Sequence, residues 1–223
     1  MAGKTCLLRI NLDIKDPAKE SSRIDAVAPT IKLLLENGVK IIILSHRGRP
    51  ARPNPTFSLK PLVDILSEKV ELPLNSARGN QLSWLENLRF DSREQANDEG
   101  FAQELAAQGD FFVNDDFATS HRASASMVGI TKFLPSYAGL LLEREIKNLS
   151  RVMENPEKPL VIIIGGAKID DKVGVIENFK NKADYFLMGS AYLRITNRQS
   201  PIMGLNNIIF PEDFVGEGDV ALD

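Results

Sequence analysis

The sequence predicts an α/β protein: a doubly wound, Rossmann-like parallel sheet in three αβα layers, followed by an incomplete second α/β domain. Short apolar runs alternate with stretches of helical period, no two runs are joined by a hairpin signal, and Gly, Asp or polar residues bound each run. Buried strands are expected at 6–10, 39–44, 111–114, 160–164 and 185–188. After the first, Ile24, Val27, Ile31, Leu34 and Leu35 keep one helical face before Gly38, and Pro29 either kinks that helix or marks its start. Further helices are expected at 57–69, 96–108 and 173–181. Through 140–154, Leu142, Ile146, Leu149 and Val152 recur at helical spacing, Glu143 can pair with Lys147, and Asn155-Pro156 ends the pattern. That helix is expected to join two domains, with boundaries at 1–138, 139–155 and 156–223. Residues after 155 supply two strands and one helix, too little for a typical core.

Composition narrows the partners. A net charge of -3 on 223 residues argues against a general nucleic-acid or anionic-membrane surface, so any basic cluster is local and aimed at a small anion. The single cysteine, Cys6, heads an apolar run, which predicts a buried strand residue in a reducing compartment rather than a nucleophile. The N-terminus lacks a signal-peptide apolar stretch and no run approaches membrane-spanning length, so the expected location is the cytoplasm.

In parallel sheets ligands gather beyond the carboxyl ends of strands, which directs attention to the residues just after each apolar run. The run Val-Ile-Ile-Ile-Gly165-Gly166-Ala-Lys168-Ile-Asp-Asp-Lys172 empties a strand into a glycine turn and a helix start with two lysines four residues apart. Backbone N–H groups, the helix dipole and both ammonium groups suit a phosphate there. A tight turn with two solvated lysines would share the pattern. The spacing fits neither a P-loop, which needs four residues between its glycines, nor a dinucleotide fingerprint, which needs three spaced glycines.

Earlier strand ends are also charged. Arg9, Asn11 and Asp13 come after the first strand; Ser45-His46-Arg47-Gly48-Arg49-Pro50 comes after the second; Arg89 succeeds 84–88; Asn114-Asp115-Asp116-Phe117-Ala118-Thr119-Ser120-His121-Arg122 succeeds 111–113. The planar guanidinium bonds phosphate and carboxylate in pairs, so Arg23, Arg49, Arg89 and Arg122 could form a socket for a doubly anionic molecule, although loop arginines in water would read alike. His46 and His121 could serve as hydrogen-bond donors to an anion, as general acids or as satisfied loop residues; their spacing provides no metal cluster and no nucleophile partner. Asp115-Asp116 and Asp170-Asp171 could hold magnesium, but helix capping is the favoured reading.

In this order the residues resemble the phosphoglycerate kinase family. Ser45-His46-Arg47-Gly48-Arg49-Pro50 resembles its Ser-His-Leu-Gly-Arg-Pro, Glu86-Asn87-Leu88-Arg89 its Glu-Asn-Leu-Arg, residues 113–126 its Val-Asn-Asp-Ala-Phe-Gly-Thr-Ala-His-Arg-Ala-His, and Gly165-Gly166-Ala167-Lys168 with Asp171-Lys172 its nucleotide-side segment. The resemblance implies a 3-phosphoglycerate domain at 1–138, an interdomain helix and a partial nucleotide-binding domain. It implies that Asn11, Asp13, Arg23, His46, Arg47, Gly48, Arg49, Arg89, His121 and Arg122 hold 3-phosphoglycerate or 1,3-bisphosphoglycerate, with Arg23, Lys168 and Lys172 acting on the phosphoryl group. Gly165, Gly166, Lys168, Lys172 and Gly189 would meet ATP or ADP. Magnesium would arrive with the nucleotide, without a protein-only metal site; the chain would be a monomer, and hinge closure would bring arginines and lysines together.

The departures carry expectations of their own. The family's Asp-Phe-Asn is here Asn11-Leu12-Asp13, which swaps donor and acceptor roles. Ala becomes Asp116, Gly becomes Ala118 and a histidine becomes Ser124. A carboxylate at 116 should weaken an anion site unless Arg47 or another cation compensates. The family's Gly-Gly-Gly-Met-Ala is replaced by Gly189-Ser190-Ala191-Tyr192, and the remaining nucleotide domain has no counterpart, so turnover by this chain alone is expected to be impaired.

Overall fold

The computed structural model describes residues 1–17, 19–50, 52–71, 81–165, 170–189 and 205–210. The chain divides into two compact units, Met1–Ile146 and Lys147–Asp223. The first holds a five-stranded sheet in the order β3-β2-β1-β4-β5, built from β1 (Thr5–Arg9), β2 (Lys40–Leu44), β3 (Leu82–Trp84), β4 (Phe111–Asn114) and β5 (Ser136–Ala138). Every pairing is parallel; Cys6 lies opposite Ile41 on one side and Phe111 on the other.

Both faces of this sheet are covered, because its central strands are apolar at successive positions. Cys6, Leu8, Ile10, Ile41, Ile43, Phe111 and Val113 pack with Ile24, Val27, Ile31 and Leu34 of α1 (Ser21–Glu36) and Leu62, Val63 and Leu66 of α2 (Lys60–Lys69). Leu7, Leu44 and Phe112, of opposite parity, pack with Phe101, Ala102 and Leu105 of α4 (Glu99–Ala106). Alternation by two along each strand thus fills two separate cores, and each fully buried Leu, Ile or Phe contributes about 1.5–3 kcal/mol over its exposed state. Cys6 is buried in the first core, and burial pushes its thiol up to about 12, so it is a packing residue rather than a nucleophile.

Several expected elements shift for local reasons. Helix α1 runs through Pro29, which is therefore not its start. The 57–69 pattern divides into a 3-10 turn at Pro55–Phe57 and α2, with Pro61 in the first turn, where its missing N–H costs nothing. The 96–108 pattern is shortened, because Asn97 adopts φ +52° and Asp98 caps α4 by accepting from the Phe101 N–H at 2.8 Å. A separate short α3 (Ser92–Gln95) precedes it.

Helix α5 (Leu140–Glu154) contains the division between the units. The second unit carries a parallel sheet ordered β6-β7-β8, from Val161–Ile164, Tyr185–Met188 and Ile208–Ile209, with α6 (Asp170–Phe179). Ile164, Phe186 and Met188 pack with Ile176 in its core, and the β8 pairing is a third strand where two were expected. Among the described residues no helix is long and apolar enough to cross a membrane.

Candidate functional site

The order β3-β2-β1-β4-β5 reverses direction between β1 and β4, and the crevice beyond the carboxyl ends of those strands is where such a sheet takes ligands. A cleft of about 490 Å³ opens there, lined beyond β1 by Asn11 and Asp13, beyond β2 by His46, from α1 by Arg23, and beyond β4 by Asp115, Asp116, Thr119 and Arg122. A smaller cavity of about 110 Å³ is lined by Arg9, His46, Arg89, Glu94 and Arg122. His46 and Arg122 line both.

Buried polar groups fix this frame. Arg9 ends β1 at 2 % exposure, and its guanidinium donates to the Ile10 carbonyl (2.6 Å), to Ser126 Oγ (3.2 Å) and to His46 Nδ1 (2.7 Å), and pairs with Asp116 Oδ2 at 3.1 Å. Because a guanidinium only donates, His46 Nδ1 must accept, which places the imidazole proton on Nε2. Burial, then the charges of Arg9, Arg89 and Arg122, pulls the His46 pKa down to about 2, so the ring is neutral. Its Nε2 lies 3.8 Å from Asp13 Oδ2, beyond hydrogen-bond range. His46 therefore presents a neutral Nε2–H at the cleft wall.

Arginine crowding is the dominant electrostatic feature. Burial lowers the Arg89 pKa first, and repulsion from Arg122 adds to it, with Arg9 and Arg49 contributing and the Asp13 carboxylate opposing. The guanidinium remains charged, so an anion entering the cluster would relieve the repulsion. Arg89 Nη1 donates to the Gly48 carbonyl at 2.5 Å, and the Gly48 N–H donates to Asp13 Oδ1 at 2.7 Å. Gly48 sits at φ +64°, where a Cβ would fall 2.3 Å from the Phe57 ring, so only glycine permits this turn.

Not every expected site residue lines the cleft. Arg47 donates through Nε to the Ile14 carbonyl (2.9 Å) and through Nη1 to the Ser58 carbonyl (3.2 Å), and the cation beside Asp116 is Arg9, not Arg47. Arg49 and His121 are exposed and border neither cavity. Arg23 reaches back to the Asp13 carbonyl at 2.6 Å. The Asn11 Nδ2 donates to Asp116 Oδ1 (3.2 Å), while its Oδ1 accepts from the Asp13 N–H (3.0 Å).

Periodicity and motif spacing give no role to Arg9, Glu94 or Ser126. The Glu94 carboxylate is 3 % exposed and accepts from the Ser126 N–H (3.0 Å) and Oγ (2.6 Å), so it anchors the serine that receives Arg9. A charged residue closing an otherwise apolar strand was the available signal for Arg9.

The Asp pair at 115–116 caps. Asp115 Oδ1 accepts from the Leu141 and Leu142 N–H groups (2.9 and 3.0 Å) at the start of α5, and burial raises its pKa. Gly139 lies so close that a Cβ there would fall 2.3 Å from Asp115 Oδ1. Replacing Asp115 by alanine leaves two helix donors unpaired and is expected to cost the first unit about 1–3 kcal/mol. Urea unfolding followed by fluorescence of the one tryptophan, Trp84, which lies in this unit, measures that loss.

On the second unit, Gly165 and Gly189 meet at the tips of β6 and β7: the Gly189 N–H donates to the Ile164 carbonyl at 2.7 Å, and a Cβ on Gly189 would come within 3.2 Å of the Gly165 Cα. Lys172 occupies the first turn of α6. Gly166 and Lys168 lie outside the described residues, as do the side chains of Asp170 and Asp171. Among the described residues no group of three or more His, Cys, Asp or Glu is placed to hold a metal ion.

The family model for phosphoglycerate kinase matches residues 1–196. The phosphoglycerate kinase of Chloroflexus aggregans is 44% identical over 210 residues, an alignment covering 84% of this chain and 52% of the relative. That of Coprothermobacter proteolyticus is 39% identical over 223 residues, covering 93% and 56%. Among solved structures, phosphoglycerate kinase from Coxiella burnetii superposes with a TM-score of 0.74 at 34% identity, over 84% of this chain and 52% of that one. The enzyme from Pyrococcus horikoshii OT3 does so at 0.72 and 30%, over 84% and 53%. The chain spans about half the length of the relatives it matches. The strand-end motifs that carry the likeness fall within the matched residues, and on that match the chain belongs to the phosphoglycerate kinase family.

Proposed function

We propose that the cleft binds 3-phosphoglycerate or 1,3-bisphosphoglycerate, as the acid-substrate side of reversible phosphoryl transfer with ATP and ADP. The observation that carries this reading is the convergence of Arg9, Arg89 and Arg122 on neutral His46, an excess of fixed positive charge around a small cavity. Such transfer needs positioning and charge stabilisation more than a base, because the carboxylate of the acid is already a nucleophile. Its oxygen attacks the terminal phosphorus of ATP while the bond to the bridging oxygen breaks and ADP leaves. Asn11, Asp13, Arg23, His46, Arg89 and Arg122 are assigned to the acid, with Arg23 also meeting the transferred group. Gly165, Lys168, Lys172 and Gly189 are assigned to the nucleotide, whose magnesium neutralises phosphate charge when bound.

A second reading, a phospho-acid binding module without turnover, is favoured by one fact: Arg9, Arg23, Arg89 and Arg122 all belong to the first unit. Isothermal titration with 3-phosphoglycerate and with magnesium ATP, beside a coupled assay, separates the two. Both readings expect heat with 3-phosphoglycerate, and Arg122→Ala is expected to weaken it roughly ten- to a hundredfold. Retained affinity in that variant would remove the cleft from both, whereas heat with the acid but none with ATP and no turnover would select the module.

A further inference from the structure

Asp116 is fully buried in the cleft wall, and each of its oxygens is engaged from two sides. Oδ1 accepts from the Asn11 amide (3.2 Å) and the Thr119 N–H (3.2 Å); Oδ2 accepts from Thr119 Oγ1 (2.5 Å) and pairs with Arg9 (3.1 Å). A carboxylate accepts about four such bonds, so its capacity is spent inside the protein and none is left over for a ligand. Asn11 is committed on one side likewise: Oδ1 takes the Asp13 N–H, Nδ2 gives one hydrogen to Asp116, and the second amide hydrogen remains at a residue that lines the cleft.

From this geometry we infer that Asn11 and Asp116 act as one unit in which Asp116 holds Arg9 and orients the Asn11 amide, so that position 11 faces the bound acid as a hydrogen-bond donor. The inference rests on the proposed binding of a phospho-acid. The two departures from the family's motif, Asn at 11 and Asp at 116, are then interdependent. An aspartate at 11, half-buried, would stand about one hydrogen bond from the fully buried Asp116 carboxylate, and such a like-charge pair is costly. An alanine at 116 would strip Arg9 of its counter-charge and free the Asn11 amide to turn. Asp116 is thus a positioning residue: it touches no ligand and acts through Arg9 and Asn11.

The test is a double-mutant cycle on the full chain with Asn11→Asp, Asp116→Ala and the two combined, read by 3-phosphoglycerate affinity in isothermal titration and by the Trp84 unfolding midpoint in urea without ligand. Asn11→Asp alone is expected to weaken binding at least about thirtyfold and to lower the midpoint; in the Asp116→Ala background, where the Asn11 amide is no longer held as a donor and the opposing carboxylate is gone, the same substitution is expected to cost less than about threefold further. A third variant, Asn11→Leu, is close in size but carries no donor. It is expected to lose affinity with less loss of midpoint than Asn11→Asp, which a purely structural role would not produce. Equal costs of Asn11→Asp in both backgrounds, with the unaltered chain still binding, would overturn the inference and leave the proposed function standing. No heat with the unaltered chain would remove the proposed function and the inference with it.

Discussion

Replacing Arg9 by methionine is expected to lower the unfolding free energy of the first unit by about 3–5 kcal/mol, a large share of the stability of an ordinary domain. Methionine keeps much of the aliphatic stem but none of the donors. Asp116, fully buried, would lose its paired cation, and His46 Nδ1, Ser126 Oγ and the Ile10 carbonyl would each lose a donor. The stranded carboxylate is the main cost, because a buried charge without a partner must either carry its desolvation penalty or take up a proton. Asp116→Asn added to Arg9→Met is therefore expected to return at least about 1 kcal/mol, since the amide removes the charge while keeping an acceptor for Thr119. Urea unfolding by Trp84 fluorescence measures all three chains. A loss below about 1 kcal/mol for Arg9→Met would mean that the pair is solvated rather than buried, and the frame assigned to the cleft would fall.

The residues whose role is plainest in the sequence are those fixed by periodicity. Alternation along 6–10 and 111–114 fills one core with Cys6, Leu8, Ile10, Phe111 and Val113 and the other with Leu7 and Phe112, so the central strands and their double burial are legible. The edge strand β5 is not: Ser136, Tyr137 and Ala138 are all exposed, and nothing in Ser-Tyr-Ala marks a strand when only one neighbour holds it. The break before α4 is hidden for another reason, because an Asn at positive φ looks like any helix-tolerated polar residue until its backbone is seen.

At the cleft, strand ends show where charge gathers, since a parallel sheet sends all its carboxyl ends one way. They do not show direction. Arg47 and Arg49 flank the same glycine yet neither lines the cleft, one bonding carbonyls of the Ile14 and Ser58 segments and the other facing solvent. Arg9 shows in the sequence only as a charge at a strand end, although its guanidinium organises His46, Asp116 and Ser126. Such a role depends on partners 37 and 117 residues away, which motif spacing cannot register.

Acid sensitivity arises from His46 with a definite sign. Its pKa is lowered by burial to about 2 in the folded chain, against an ordinary value of 6.5, so between these values the unfolded chain binds a proton that the folded chain refuses. Stability then falls as pH falls, by about 1.4 kcal/mol per unit for this one group, or about 2–3 kcal/mol from pH 6.5 to 4.5. Asp115 acts in the opposite sense: its raised pKa means that protonation favours the folded chain as pH drops, which offsets part of the loss. The comparison that isolates His46 is His46→Asn. The asparagine oxygen can stand near the Nδ1 position and accept from Arg9, and its amide does not titrate. Unfolding free energies by Trp84 fluorescence at pH 6.5, 5.5 and 4.5 are expected to fall more steeply in the unaltered chain than in the variant, by nearly one proton's worth of slope. Parallel slopes would mean that His46 takes up its proton while folded, and in that event a cationic imidazole beside Arg9, Arg89 and Arg122 would have to be held by a counter-ion in the cleft.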